Sequence, residues 1–277
     1  LSLHDALPIY GFGFRDILQD LLALLPLDSA RVGENLAYVG RQMFSDGSAY
    51  HNFYVSAPGN RDFNACDDPL WFVYAACEYV RESGDFAWLE RIEPYADEKE
   101  GMEARSGTML ERCNLAVDRV WAHSKDGFPI LYAADWNDDL SGYPEHLSVM
   151  AAQMLFKACN DLAELIEECG ARRHKTANPA RTAELLERAR IVERTFREHA
   201  IGRNGKITRL VGPGFDHSKD LGSDGTDGLT FFEPVAWAGY SGITTKEEFL
   251  AASEHAERDL LSKAGYAICQ GDSSLAS

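Results

Sequence analysis

Phe14, Ile17, Leu18, Leu21, Leu22 and Leu25 fall on one face of a helix, and the same 3.6-residue spacing of apolar side chains returns along most of the chain. A chain patterned this way cannot lay alternate residues into a sheet, so the spacing predicts an all-α fold. A second helix starts after Asp28 or Ser29 and carries Val32, Leu36, Val39 and Met43 on one face. Pro69 suits the first turn of a third, running through Val80; Ser83-Gly84 stops it, and a further helix is expected from Asp85 to about Ile92. Met109–Val120, Glu145–Glu168, Pro179–His199, Phe231–Tyr240 and Thr245–Ala264 complete the helical segments. Only the stretch from Gly205 to Leu210 alternates like a short strand.

An all-α chain of 277 residues is built either as a solenoid or as a closed toroid of helical hairpins. No motif repeats at the roughly 34- to 47-residue period of solenoids. The toroid, an (α/α)6 barrel with loops at one end around a central pocket, is therefore expected. At 45% hydrophobic residues the chain can fill such a core.

Charge narrows the partners. A formal net charge of −17 argues against nucleic acid and anionic membrane surfaces, and any anionic ligand would need local basic groups to overcome that field. No run approaches the ~20 apolar residues of a membrane span, and the start lacks a basic segment followed by an apolar one. The six cysteines form no C-x-x-C pair and no metal-ligand spacing with histidine, so they read as free thiols in a reducing cytoplasm, with neither metal nor cofactor. Leu1–Ile9 does not fit the pattern beginning at Tyr10 and reads as foreign sequence or a cut edge.

Three stretches break the helical period and carry functional side chains. Asp46 to Asp68 holds His51, Tyr54, Arg61, Asp62, Asp67 and Asp68, and long loops inside compact domains are usually functional. Gly212 to Gly228 carries Asp216, His217, Asp220, Asp224 and Asp227, without the spacing of a known calcium loop. Ala133–Leu140 reads Ala-Ala-Asp-Trp-Asn-Asp-Asp-Leu, three carboxylates around one indole and one amide. A sugar ring stacks its flat apolar face on an indole while carboxylates and Asn137 take the hydroxyls. The competing reading is an acidic surface loop with one buried Trp anchor. Arg15 and Asp16, at the start of the first helix, read by themselves as a solvated face with Asp16 complementing the dipole.

Several segments in order resemble glycoside hydrolase family 94, the inverting sugar phosphorylases. They are Tyr10-Gly-Phe-Gly-Phe-Arg-Asp-Ile-Leu-Gln-Asp20; Asp67-Asp-Pro-Leu-Trp71 with the helix end Tyr79-Val-Arg-Glu-Ser-Gly-Asp85; Asp135-Trp-Asn-Asp138; and Asp227-Gly-Leu through Trp237 to Ser241-Gly242. The resemblance covers most of the chain from Tyr10 to about Ile268 and implies an (α/α)6 barrel. It also implies phosphorolysis of a β-linked disaccharide or oligosaccharide to a sugar 1-phosphate, with inorganic phosphate as co-substrate and nucleophile. Asp138 matches the family's general acid, Trp136 a sugar-contacting Trp, and Arg15 and Asp16 the pair that binds the sugar being cleaved. Asp135, Asn137 and Asp68 join them as expected substrate-binding residues. An inverting hydrolase on the same barrel, with a base drawn from Asp62 to Asp68, and a sugar-binding module without catalysis are the alternatives.

The departures carry expectations too. Phe12-Gly13 stands inserted where the family commonly reads Tyr-Gly-Phe-Arg-Asp, and Cys66-Asp67-Asp68-Pro69 varies its acid-acid pair. Residues 10–277 read as a partial catalytic barrel, without the family's N-terminal β-sandwich and without the C-terminal barrel segment that supplies phosphate contacts. The loops offer His51, Arg61, His217 and Lys219 but no dense basic cluster. The chain alone is therefore expected to bind phosphate weakly and to be inactive, while homodimerisation of the full-length protein stays open.

Overall fold

The structure is a computed structural model and describes residues 11–54, 59–60, 64–172, 178–223 and 228–270. Leu1–Ile9, Tyr10, Arg61, Asp62, Asp224 and Asp227 lie outside the described residues. The described residues form eight α-helices: α1 Phe14–Leu24, α2 Ser29–Gly40, α3 Asp68–Ser83, α4 Met109–Ala122, α5 Val149–Ala171, α6 Pro179–His199, α7 Phe232–Ser241 and α8 Lys246–Leu260. Their strands are two or three residues long and occur as five antiparallel pairs. The fold is mostly α, as the apolar spacing required. By contacts the chain divides into two compact units, residues 1–64 with 71–119, and residues 65–70 with 120–277.

In the first unit α1 buries Phe14, Leu18 and Leu21, and the side chain of Asp28 caps α2 by accepting from the Arg31 amide at 3.1 Å. Val32, Leu36, Val39 and Met43 are all buried. Two glycines in α2 permit a close helix crossing: a Cβ on Gly33 would meet the Tyr79 hydroxyl at 2.4 Å, and one on Gly40 would meet the Phe72 ring at 3.2 Å. Each costs about 1 kcal/mol against alanine in a helix interior, which the packing has to offset. Arg112 is fully buried. It donates to the carbonyls of Gly40, Gly107, Glu93 and Pro94, and its guanidinium lies 4.2 Å from the centroid of the Tyr95 ring. Burial pushes the Tyr95 phenol up to about 12 against the opposing pull of Arg112.

In the second unit α5 packs along α6 and against α7, and α7 packs on α8. Asn178 caps α6 with Pro179 in its first turn, and Thr245 with Glu248 forms a capping box on α8. No helix among the described residues is long and apolar enough to cross a membrane.

Three expected boundaries move, each for a local reason. The helix expected from Asp85 is a single 3-10 turn, Phe86–Glu90, after which Ile92–Pro94 pairs with Ser106–Thr108. The Trp88 indole N–H is fixed on the Gly33 carbonyl at 2.9 Å, a tertiary bond that the local pattern does not encode. The helix expected from Glu145 begins at Val149, because Leu147–Ser148 is drawn into pairing with Leu210–Val211. The last helix stops at Leu260, and Leu261–Ser262 turns back on Gly265–Tyr266. The strand read at Gly205–Leu210 is reduced to that pairing and to bridges between Ile201 and Ile207 and between Leu210 and Leu221.

Candidate active site

The acidic segment is carried into the second unit by backbone bonds on both sides. The amide of Cys66 donates to the Ala134 carbonyl at 2.9 Å, and the amides of Leu131 and Tyr132 donate to the carbonyls of His146 and Pro144. Tyr132 has φ +54°, a left-handed conformation that costs a non-glycine residue energy and recurs at functional loops. Its hydroxyl is within 2.9 Å of His123 Nδ1. Beneath the segment Cys66, Leu131, Leu140, Ala151, Leu210, Leu221 and Phe231 form a buried apolar cluster.

Asp135 has no exposed surface. Its Oδ2 accepts from the Ser148 hydroxyl at 2.6 Å and Arg209 Nη1 at 2.7 Å, while Oδ1 accepts from the Asn137 amide at 3.0 Å and from Arg209 Nη2. Arg209 is equally buried, so this is a two-pronged ion pair removed from water. Burial alone pushes the Asp135 carboxyl up, but the adjacent Arg209 and its hydrogen bonds more than offset this, and the group lies below the usual carboxylate range. Ser148 accepts from the Ala151 amide as the N-cap of α5, so the ion pair is tied to a helix start. Through these bonds Asp135 holds the segment in place.

Asn137 is tied at both ends of its amide. Its Oδ1 accepts from the Asp139 amide at 3.1 Å, and its Nδ2 donates to Glu233 Oε1 in the first turn of α7 at 3.0 Å. It therefore caps the 3-10 turn Asp138–Gly142, on which Asp138 and Asp139 are exposed, while Trp136 is half-buried. Asp138 thus stands in solvent at the head of a turn whose root is fixed below the surface. Arg209 Nε also approaches Glu233 Oε1, at 3.6 Å.

Asp67 and Asp68 are buried beside these groups, Asp68 as the first residue of α3. Burial pushes the Cys66 thiol well up, and Asp135, Asp67 and Asp68 add to this while Arg209 opposes it. The six cysteines are free, and five are buried. Among the described residues no three metal-ligating side chains cluster.

In the first unit Arg15 is buried, at 5% exposure, and is therefore not part of a solvated face. Asp16 is exposed and folds back over the helix start: a Cβ on Gly13 would fall 1.9 Å from its Oδ2. That position complements the helix dipole.

Residues 6–274 match the family described as glycosyl hydrolase 94 superfamily, catalytic domain. The chain belongs to this family. As a glycosyl hydrolase 94 catalytic domain it is 29% identical to solabiose phosphorylase of Paenibacillus borealis over 247 residues, covering 86% of the chain and 29% of that protein. It is 26% identical to N,N'-diacetylchitobiose phosphorylase of Vibrio furnissii over 157 residues, covering 47% of the chain and 19% of that protein. The chain thus spans less than a third of the length of either relative. A rhamnosidase from Bacillus sp. GL1 has a similar fold, with a TM-score of 0.63 at 10% identity over 90% of this chain and 23% of that one.

Reading the chain alone brought out Asp135, Trp136, Asn137 and Asp138 but missed Arg209, Ser148 and Glu233, which hold them. One signal was available. In an alternating stretch Arg209 shares a face with Ile207, and a cation on the side of a buried residue calls for a buried acid.

Proposed function

We propose that this chain carries the acid-bearing part of an inverting sugar phosphorylase acting on a β-linked disaccharide or oligosaccharide. The observation that carries the reading is the placement of Asp138: exposed on a short turn next to a half-buried indole, in a catalytic domain of this family. Asp138 gives its proton to the glycosidic oxygen as the C1–O bond breaks, and a phosphate oxygen bonds to C1 from the opposite face, so the sugar 1-phosphate forms with inverted configuration. Phosphate is already a nucleophile, so one carboxylic acid suffices. Arg15 and Asp16 bind the sugar being cleaved, and Trp136 offers its ring face to the sugar.

The hydrolase reading needs a second carboxyl group about 6.5–9.5 Å from the acid to activate water. Asp67 and Asp68, from the range offered for that base, are both buried. Asp62, the remaining acid of that range, lies outside the described residues, so the phosphate dependence of turnover decides between the two readings.

Turnover of β-linked disaccharides should require inorganic phosphate and yield a sugar 1-phosphate, assayed on the longest natural polypeptide containing these residues. Turnover that is indifferent to phosphate and yields free sugar would establish the hydrolase instead. With a net charge of −17 the chain is expected to bind phosphate weakly. Micromolar binding by calorimetry would overturn that expectation.

A further inference from the structure

We propose that Glu233 is a positioning residue, which sets the orientation of Asp138 through Asn137 and shares the cation Arg209 with Asp135. The inference rests on the functional reading above in assigning Asp138 as the acid, but the geometry is independent of it. Asn137 precedes Asp138, and its side chain reaches in two directions, to the Asp139 amide at 3.1 Å and to Glu233 Oε1 at 3.0 Å. The first bond caps the turn that bears Asp138. The second decides how the amide is turned, because it keeps Oδ1 facing the Asp139 N–H.

Glu233 is fitted to that task. It sits in the first turn of α7, 96 residues from Asn137, and is 6% exposed, so its own rotamer is fixed by packing. On its other flank Arg209 Nε stands 3.6 Å from Oε1, while Arg209 spends its two terminal nitrogens on Asp135. One guanidinium therefore lies against both acids that hold the root of the turn, bonded to Asp135, which accepts from the Asn137 backbone, and within ion-pair distance of Glu233, which accepts from its side chain. The remaining oxygen, Glu233 Oε2, is buried and meets no donor among the described residues. A buried acceptor without a donor costs stability, and stability alone would be better served by an apolar side chain at this position. Such a cost is what a residue kept for the geometry of a site carries.

Hydrogen exchange on the chain, comparing wild type, Glu233→Ala, Glu233→Gln and Asn137→Ala, tests the positioning role without any need for turnover. Glu233→Ala and Asn137→Ala should raise exchange in peptides over residues 136–142 by about fivefold, with α5 and α6 unchanged. Glu233→Gln, which keeps an acceptor for Asn137, should stay near wild type. Unchanged exchange in Glu233→Ala, equal exchange in the Ala and Gln variants, or a rise spread over the whole unit would overturn the proposal. The kinetic arm uses the longest natural polypeptide and a sugar 1-phosphate: kcat should fall about tenfold in Glu233→Ala with KM within about twofold, and be restored in Glu233→Gln. A wild type without phosphorolysis would refute the functional reading and leave the exchange result to decide the positioning role.

Discussion

Arg209 closes on both carboxylate oxygens of Asp135 across 74 residues of chain, and neither side chain has exposed surface. A buried pair of this kind is a weak source of net stability but an expensive one to break, because removing one partner strands the other charge in a low dielectric. Arg209→Met and Asp135→Asn should therefore each lower unfolding free energy by about 3–5 kcal/mol, with the double variant costing much less than the sum. Urea melts of the four proteins provide the cycle. Additive losses would mean that the pair is not coupled as drawn.

The same pair fixes an acid limb. Asp135 lies below the usual carboxylate range in the folded chain, so its contribution is fully present above the unfolded value, about 3.9, and is lost as pH falls through the folded one. Stability attributable to this group should be flat from neutral pH to about pH 5 and decline only below about pH 4. Without Arg209, burial would dominate and raise the carboxyl, so acid unfolding of Arg209→Met should begin at higher pH. Circular dichroism against pH reads both curves, and superimposable curves would contradict the assignment.

Asp138→Asn keeps the volume of the side chain but has no proton to give. Because Asp138 is exposed and its turn is capped by Asn137, the variant should melt like wild type. Its turnover on an unactivated glycoside should drop by about 10²–10⁴-fold. Near-wild-type rates would remove Asp138 from the role of acid.

Arg15 and Asp16 are expected to act on the sugar in the cleaved subsite, and their alanine variants should lose about 1.5–3 kcal/mol in kcat/KM through charge-assisted hydrogen bonds. The two differ structurally, with Arg15 buried and Asp16 exposed over Gly13. Arg15→Ala should accordingly lower the melting temperature more than Asp16→Ala. Steady-state kinetics beside thermal melts separates binding from folding, and an unchanged kcat/KM in both variants would return the pair to a purely structural role.

The sequence by itself determined the helices and the stretch that matters. Apolar spacing located α1 and α4 to within two residues, because burying one face of a helix is a local, periodic demand, and the Asn178-Pro179 start with its Glu and Arg pairs located α6. The cluster Asp135-Trp-Asn-Asp138 stood out by composition alone. Which of its members face solvent was decided only in three dimensions. Asp135 and Asp138 are alike as residues, yet one is sealed against Arg209 and the other stands exposed, because the ion pair and the Asn137–Glu233 bond join positions 74 and 96 residues apart. No local rule encodes such partners: a buried charge needs an opposite one wherever the fold brings it. The displaced starts and ends at Asp85, Glu145 and Ala264 have a similar origin, in tertiary pairing that overrode the helical period.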